Sequence, residues 1–207
     1  MTERASTTGR PAGRPRSQEA DTAILTAALD LLIELGAAQT SIEQVARRAG
    51  VTRATVYRRF ADKTALLVEA LEWANHDHDP EFTGWRDLGH MFDDWAAHLA
   101  EPRNRRLLRR VNALVDDYPE LIDSYRMLNS GRRAAMVRDT LAQAAERGRL
   151  PAGLDLDVVQ EMLTGAVLNH LHLHSDDEGA GRIKAYFMAI MKQVGHREVV
   201  TDERDSA

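Results

Sequence analysis

The sequence predicts an all-α chain with two domains, a three-helix N-terminal domain joined to a longer C-terminal helical domain. Three observations carry that prediction. Apolar residues recur at a period near 3.6 in segment after segment, none alternates with the two-residue period of a half-buried strand, and Gly, Pro, Ser and Asp fall at the breaks. The 207 residues hold only 6 Pro and no internal repeat, and they are enough to bury a substantial core.

Residues 1–17, rich in Thr, Ser, Gly, Pro and Arg, read as a disordered basic arm. A first helix is expected from Glu19 to Leu35, with Ala23, Ile24, Ala27, Ala28, Leu31, Leu32 and Leu35 on one stripe and Gly36 ending it. Ser41 and Gln44 have capping-box spacing, which starts a second helix near Ile42 with Val45 and Ala49 facing inward. Gly50 then stands where a left-handed residue ends that helix. Thr52 caps a third helix, Arg53 to Phe60, which turns Val56 and Phe60 to the core. Asp62 caps a fourth, Lys63 to Asn75, whose Leu66, Leu67 and Leu71 tie the first domain to the second. Further helices are expected over 85–100, 104–116, 120–147 (loosened at Gly131), 157–174 and 179–194, with Pro102, Pro119, Pro151 and two Gly/Asp clusters as breaks.

Two short helices around a glycine turn, the second leaving Arg53, Ala54, Thr55, Tyr57, Arg58 and Arg59 off the core, have the form of a helix-turn-helix, in which one helix buttresses and the next meets the major groove. Residues 20–67 resemble the DNA-binding domain of the TetR family of transcriptional regulators. The likeness rests on the apolar first helix, Gly36, Thr40/Ser41, Val45-Ala46, Ala49-Gly50-Val51, Thr55, the Tyr57-x-x-Phe60-x-x-Lys63 spacing and Leu66-Leu67. Beyond this first third the chain shares only the family's general helical plan. The resemblance implies a sequence-specific, homodimeric transcriptional regulator, a repressor that leaves its double-stranded DNA operator when a small-molecule effector binds. It divides the chain into the arm (1–17), a helix-turn-helix domain (18–62), an effector-binding and dimerisation domain (63–196) and a flexible tail (197–207).

Arg53 and Arg58 are candidates for bidentate bonds to guanine O6 and N7, the alternative being ordinary solvated charges. Thr55 and Tyr57 match family positions that bond phosphates. Arg59 and Lys63 read as phosphate contacts too, Lys63 at a helix N-terminus that favours an anion, and Ser41 as the same from the second helix. Thr52 and Ala54 complete the DNA-facing set. Glu43 departs from the pattern, since a carboxylate there repels phosphate. In the arm, Gly9-Arg10-Pro11 and Gly13-Arg14-Pro15-Arg16 resemble AT-hook minor-groove binders, and Arg10, Arg14 and Arg16 would enter a narrow A·T groove from an extended backbone.

Charge is divided accordingly. Through residue 63 there are ten Lys/Arg against seven Asp/Glu, and beyond it seventeen against twenty-five, so a basic head precedes an acidic body within the net −5. With no cysteine, disulfides, thiolate metal sites and a cysteine nucleophile are excluded. A polar N-terminus and the lack of any apolar run near 18 residues lead us to expect a soluble, cytoplasmic protein without membrane contact or cofactor.

The body holds three further constellations. Trp73, Trp85, Phe92 and Trp95, with Met91, His98, Tyr125 and Met127, fall on helices that in the family enclose an effector, although aromatics at helical spacing are commonly plain core. Val159, Leu163 and Val167, with Tyr186, Phe187 and Ile190, form stripes on the last two helices, the pair that in the family makes a four-helix dimer interface. Finally, His170, His172 and His174 precede Asp176, Asp177 and Glu178, and His76 and His78 alternate with Asp77 and Asp79. Only His170 and His174 share a helix face, and they can hold zinc or nickel if a third ligand arrives. No H-E-x-x-H general base accompanies them, so no metal is assigned; a metal-responsive regulator and a helical His/Asp metal-dependent enzyme stand as the alternatives.

Overall fold

The computed structural model describes residues 14–76, 84–123 and 132–197, and side chains for 18–74, 84–123 and 133–197. Among them every regular element is helical: α1 Arg14–Leu35, α2 Ile42–Arg48, α3 Arg53–Tyr57, α4 Lys63–His76, α5 Leu88–Ala100, α6 Pro102–Asn112, α7 Arg132–Glu146, α8 Leu156–Leu173 and α9 Ala180–Gln193. A further helical turn covers residues 119–123. Residues 1–13, Arg10 included, lie outside the described residues, as do the side chains of Arg14 and Arg16, the effector candidates Tyr125 and Met127, His78, and the tail beyond Arg197.

α1 starts five residues ahead of the expected Glu19, so the second Gly-Arg-Pro run feeds a helix and does not extend as an arm. Pro15 stands in the first turn, where its missing N–H has no intrahelical partner to lose. Pro102 at the first position of α6 has the same effect and advances that helix from Asn104.

The chain forms two compact units, Met1–Ala70 and Leu71–Ala207, dividing inside α4 and not at the expected 62/63. In the first unit α1 packs on α2 and α2 on α3. Its core contains Ile24, Ala28, Leu32, Val45, Val56, Leu66 and Leu67, all fully buried, each large side chain worth about 1.5–3 kcal/mol of transfer free energy. Leu29 and Ile33 are buried too, so the apolar face of α1 is wider than the predicted stripe, while Ala23 and Leu35 are only half-buried.

In the second unit α5 packs most extensively on α9, and α8 contacts α6, α7 and α9. Asp87 and Asp155 start α5 and α8 by accepting backbone N–H bonds from His90, and from Asp157 and Val158. Phe92 stacks on Phe187 at 5.6 Å, and Trp95 meets both edge-on at 5.8 and 5.7 Å. Among the described residues of this unit Arg105 of α6 is a fully buried charge, donating to Asp176 Oδ1 (3.1 Å), His174 O (3.1 Å) and Leu99 O (3.4 Å). Arg109 adds a two-pronged contact to Asp176 at 2.8 and 2.7 Å. These arginines hold the Asp176 carboxyl down at about 2 and fix the loop between α8 and α9.

Candidate nucleic-acid interface

The corner between α2 and α3 is built from backbone bonds that the local sequence dictates. Ser41 Oγ accepts from Gln44 N (3.3 Å) while Gln44 Oε1 accepts from Ser41 N (2.9 Å), the reciprocal capping box its spacing predicts. At the other end Gly50 adopts φ +68°, and Val51 N donates to Ala46 O (2.9 Å) with Gly50 N to Arg47 O (3.4 Å), a Schellman closure that a side chain at position 50 would strain. Thr52 Oγ1 then accepts from Thr55 N at 3.1 Å, starting α3 immediately after the turn. α3 is shorter than expected, its last regular residue being Tyr57, yet the chain keeps turning through Phe60 N to Val56 O (3.0 Å) and both apolar anchors are buried.

That geometry leaves Thr52, Arg53, Ala54, Tyr57 and Arg58 exposed on one short helix, with Thr55 and Ser41 half-buried beside them. Tyr57 is 54% exposed, unusual for an aromatic residue. The Thr55 hydroxyl lies 2.9 Å from that of Thr52. Arg53 NH1 donates to Glu43 Oε1 at 2.7 Å, so the carboxylate that departs from the family pattern has a cationic partner; the guanidinium draws the Glu43 carboxyl below its ordinary range. Arg59 is placed differently from its neighbours. Its guanidinium is ion-paired to Asp21 of α1, donates to Thr55 O (3.1 Å) and is largely buried, so it fastens α3 to α1. Lys63 Nζ donates to Ala37 O at 2.8 Å, reaching back toward the end of α1.

Two family models match this chain: "Bacterial regulatory proteins, tetR family" over residues 24–70 and "Tetracyclin repressor-like, C-terminal domain" over residues 83–188. The chain belongs to the TetR family. As a TetR-family protein it is a DNA-binding transcriptional regulator, which sets the helical-enzyme alternative aside. It is 26% identical over 189 residues to the uncharacterized HTH-type transcriptional regulator YdeS of Bacillus subtilis, covering 88% of this chain and 93% of that one. The transcriptional regulator SrpR of Pseudomonas putida is 28% identical over 189 residues, with 86% and 87% covered. MexZ, described as a key repressor responsible for antibiotic resistance in Pseudomonas aeruginosa, shares the fold with a TM-score of 0.65 at 21% identity, over 86% of this chain and 95% of that one.

In this TetR-family chain, no helix among the described residues is long and apolar enough to cross a membrane. The six residues read as a dimer seam fall in two groups in the protomer. Val159, Leu163 and Phe187 are buried in the protomer's own core, and Val167, Tyr186 and Ile190 pack against it half-buried. The apolar groups α8 leaves uncovered are Val158 (50%), Met162 (47%) and Leu173 (74%), within about 60° of one another on a helix turning about 100° per residue. The inner stripe of α8 is the more regular one and so dominates the periodicity. Of the effector candidates, Trp85 and Phe92 are buried core, Trp73 is half-buried, and Trp95 is half-buried with an indole N–H that is buried without an acceptor among the described residues.

Proposed function

We propose that the protein is a homodimeric repressor that reads its operator with α3 and releases it when a small molecule binds the C-terminal unit. One observation carries the reading: Arg53, Ala54, Tyr57 and Arg58 stand exposed on a helix whose start and inner face are fixed by Thr52, Val56 and Phe60. Groups held in place by a rigid corner lose little entropy on meeting base edges. Arg53 and Arg58 read bases, Thr52, Thr55, Tyr57 and Ser41 contact phosphates, and Lys63 adds a phosphate contact on leaving Ala37 O. A single helix of this kind reads few base pairs, and pairing α8 and α9 with a second copy doubles the contact. Val158, Met162 and Leu173 supply its apolar groups. The buried donor on Trp95 gives the effector site one fixed hydrogen-bonding point, to be met by an acceptor on a flat, partly polar ligand. Binding there favours a spacing of the two α3 helices that misses successive major grooves, about 34 Å apart. A repressive role agrees with the description of a relative, the DNA-binding transcriptional repressor TetR of Mycobacteroides abscessus, 26% identical over 196 residues, with 88% of this chain and 98% of that one covered.

The test is Arg53→Ala assayed by selection from random DNA. It is expected to cost about 1–3 kcal/mol per half-site contact and to relax preference at one base position. The same motif with undiminished information content would remove Arg53 from the set of base readers.

A further inference from the structure

The last turn of α8 sets His170 and His174 at i, i+4 with their rings stacked, centroids 4.2 Å apart and planes 5° from parallel. The loop after the helix returns Glu178 to the same spot: its Oε2 lies 3.0 Å from His170 Nε2 and 3.2 Å from His174 Nδ1. All three ligand atoms fall within 4.8 Å of one another. The placement is enforced, because Arg105 holds His174 O and Asp176 while Arg109 grips Asp176, leaving the carboxylate two residues later little freedom.

His170 is 0% and Glu178 9% exposed, and neither His170 Nε2 nor Glu178 Oε2 makes a properly directed hydrogen bond among the described residues. Buried polar atoms left without a directed hydrogen bond carry a desolvation cost. A cation placed between the three atoms satisfies all of them. Separations of 3.0 and 3.2 Å are also close to the edge of about 3.3 Å expected of a tetrahedron with ligand distances near 2.0–2.1 Å.

We propose that His170, His174 and Glu178 form a binding site for a divalent transition-metal ion of the zinc, cobalt or nickel class, with the fourth position open to water or a further ligand. Two nitrogens and one carboxylate suit such borderline ions better than magnesium or calcium, which take oxygen shells. Arg105 NH1 lies 3.3 Å from His170 Nδ1, so it meets the ring at the nitrogen that is not the proposed ligand atom. Tyr186 shields the site, its ring 5.0 and 5.5 Å from the two imidazoles. The site lies wholly in the second unit and stands whether or not operator binding responds to it.

Titrating the full-length protein with Co2+, then competing with Zn2+, decides the matter. One Co2+ per chain is expected, with the visible absorption of a four-coordinate ion and a Kd in the micromolar range or below. His174→Ala and Glu178→Gln should each weaken it at least tenfold while circular dichroism stays unchanged, whereas His172→Ala, on the opposite face, should leave it as it was. Zn2+ should raise the Tm of the parent protein and not that of Glu178→Gln. No saturable Co2+ binding, equal affinity in Glu178→Gln, or an equal loss in His172→Ala would each overturn the assignment.

Discussion

Met162→Asp is expected to convert the dimer into a folded monomer that no longer holds its operator. Met162 is 47% exposed, with Val158 four residues earlier at 50%, so an aspartate at position 162 is tolerated in water by the protomer and becomes costly only when a second copy covers it. A carboxylate closed into an apolar seam without a partner is strongly disfavoured, and a two-fold interface places it twice. Dissociation of the dimer should weaken operator binding by about 100-fold or more, since each half-site then binds alone. Sedimentation at micromolar concentration, paired with operator titration, reads both effects. Ile190→Asp is the contrasting variant: Ile190 packs on the protomer's core, so it should unfold the C-terminal unit and not merely separate the copies. A Met162→Asp protein that stays dimeric would move the interface away from the outer face of α8.

Asp176→Ala is expected to destabilise the C-terminal unit. It strips Arg105, fully buried, of its carboxylate and leaves a guanidinium with only carbonyl oxygens and a neutral imidazole around it. Breaking a buried pair typically costs about 3–5 kcal/mol; with Asp176 39% exposed and partly screened, about 1–3 kcal/mol is expected here. The pH profile checks the mechanism. Because the folded carboxyl is depressed from 3.8 to about 2, its stabilisation is complete above the unfolded value and is lost as pH falls through the folded one. Denaturant melts should therefore show parent and variant converging between about pH 4 and pH 2. A constant gap over that range would assign the effect to packing alone.

The DNA-binding unit was legible because its determinants are local. A capping box, a left-handed glycine and an N-terminal threonine each act within three or four residues, so spacing alone placed α2, the turn and α3, and Val56 and Phe60 in the core. What escaped were the long-range partners. Arg59 is 38 positions from Asp21, and Arg105 is 71 from Asp176; nothing in the run Arg103 to Arg110 marks one arginine as the buried member of an otherwise solvated set. The faces of α8 are inverted for a related reason. Periodicity finds the stripe that faces some core but not which core, so Val159 and Leu163 read as seam residues although they fill the protomer. The histidines lie between these cases: i, i+4 spacing pairs His170 with His174, but the third member depends on a loop whose course two arginines set.

Selection of bound sequences from random DNA by the full-length protein tests the central claim most directly, that α3 reads sequence as one half of a two-fold pair. The expected result is an inverted repeat whose half-site centres lie about 10 base pairs, or a multiple of that, apart, with a guanine in each half that weakens when Arg53 is replaced by Ala. A pool that shows no enriched motif, or one enriched for a single asymmetric site indifferent to Arg53, would contradict it.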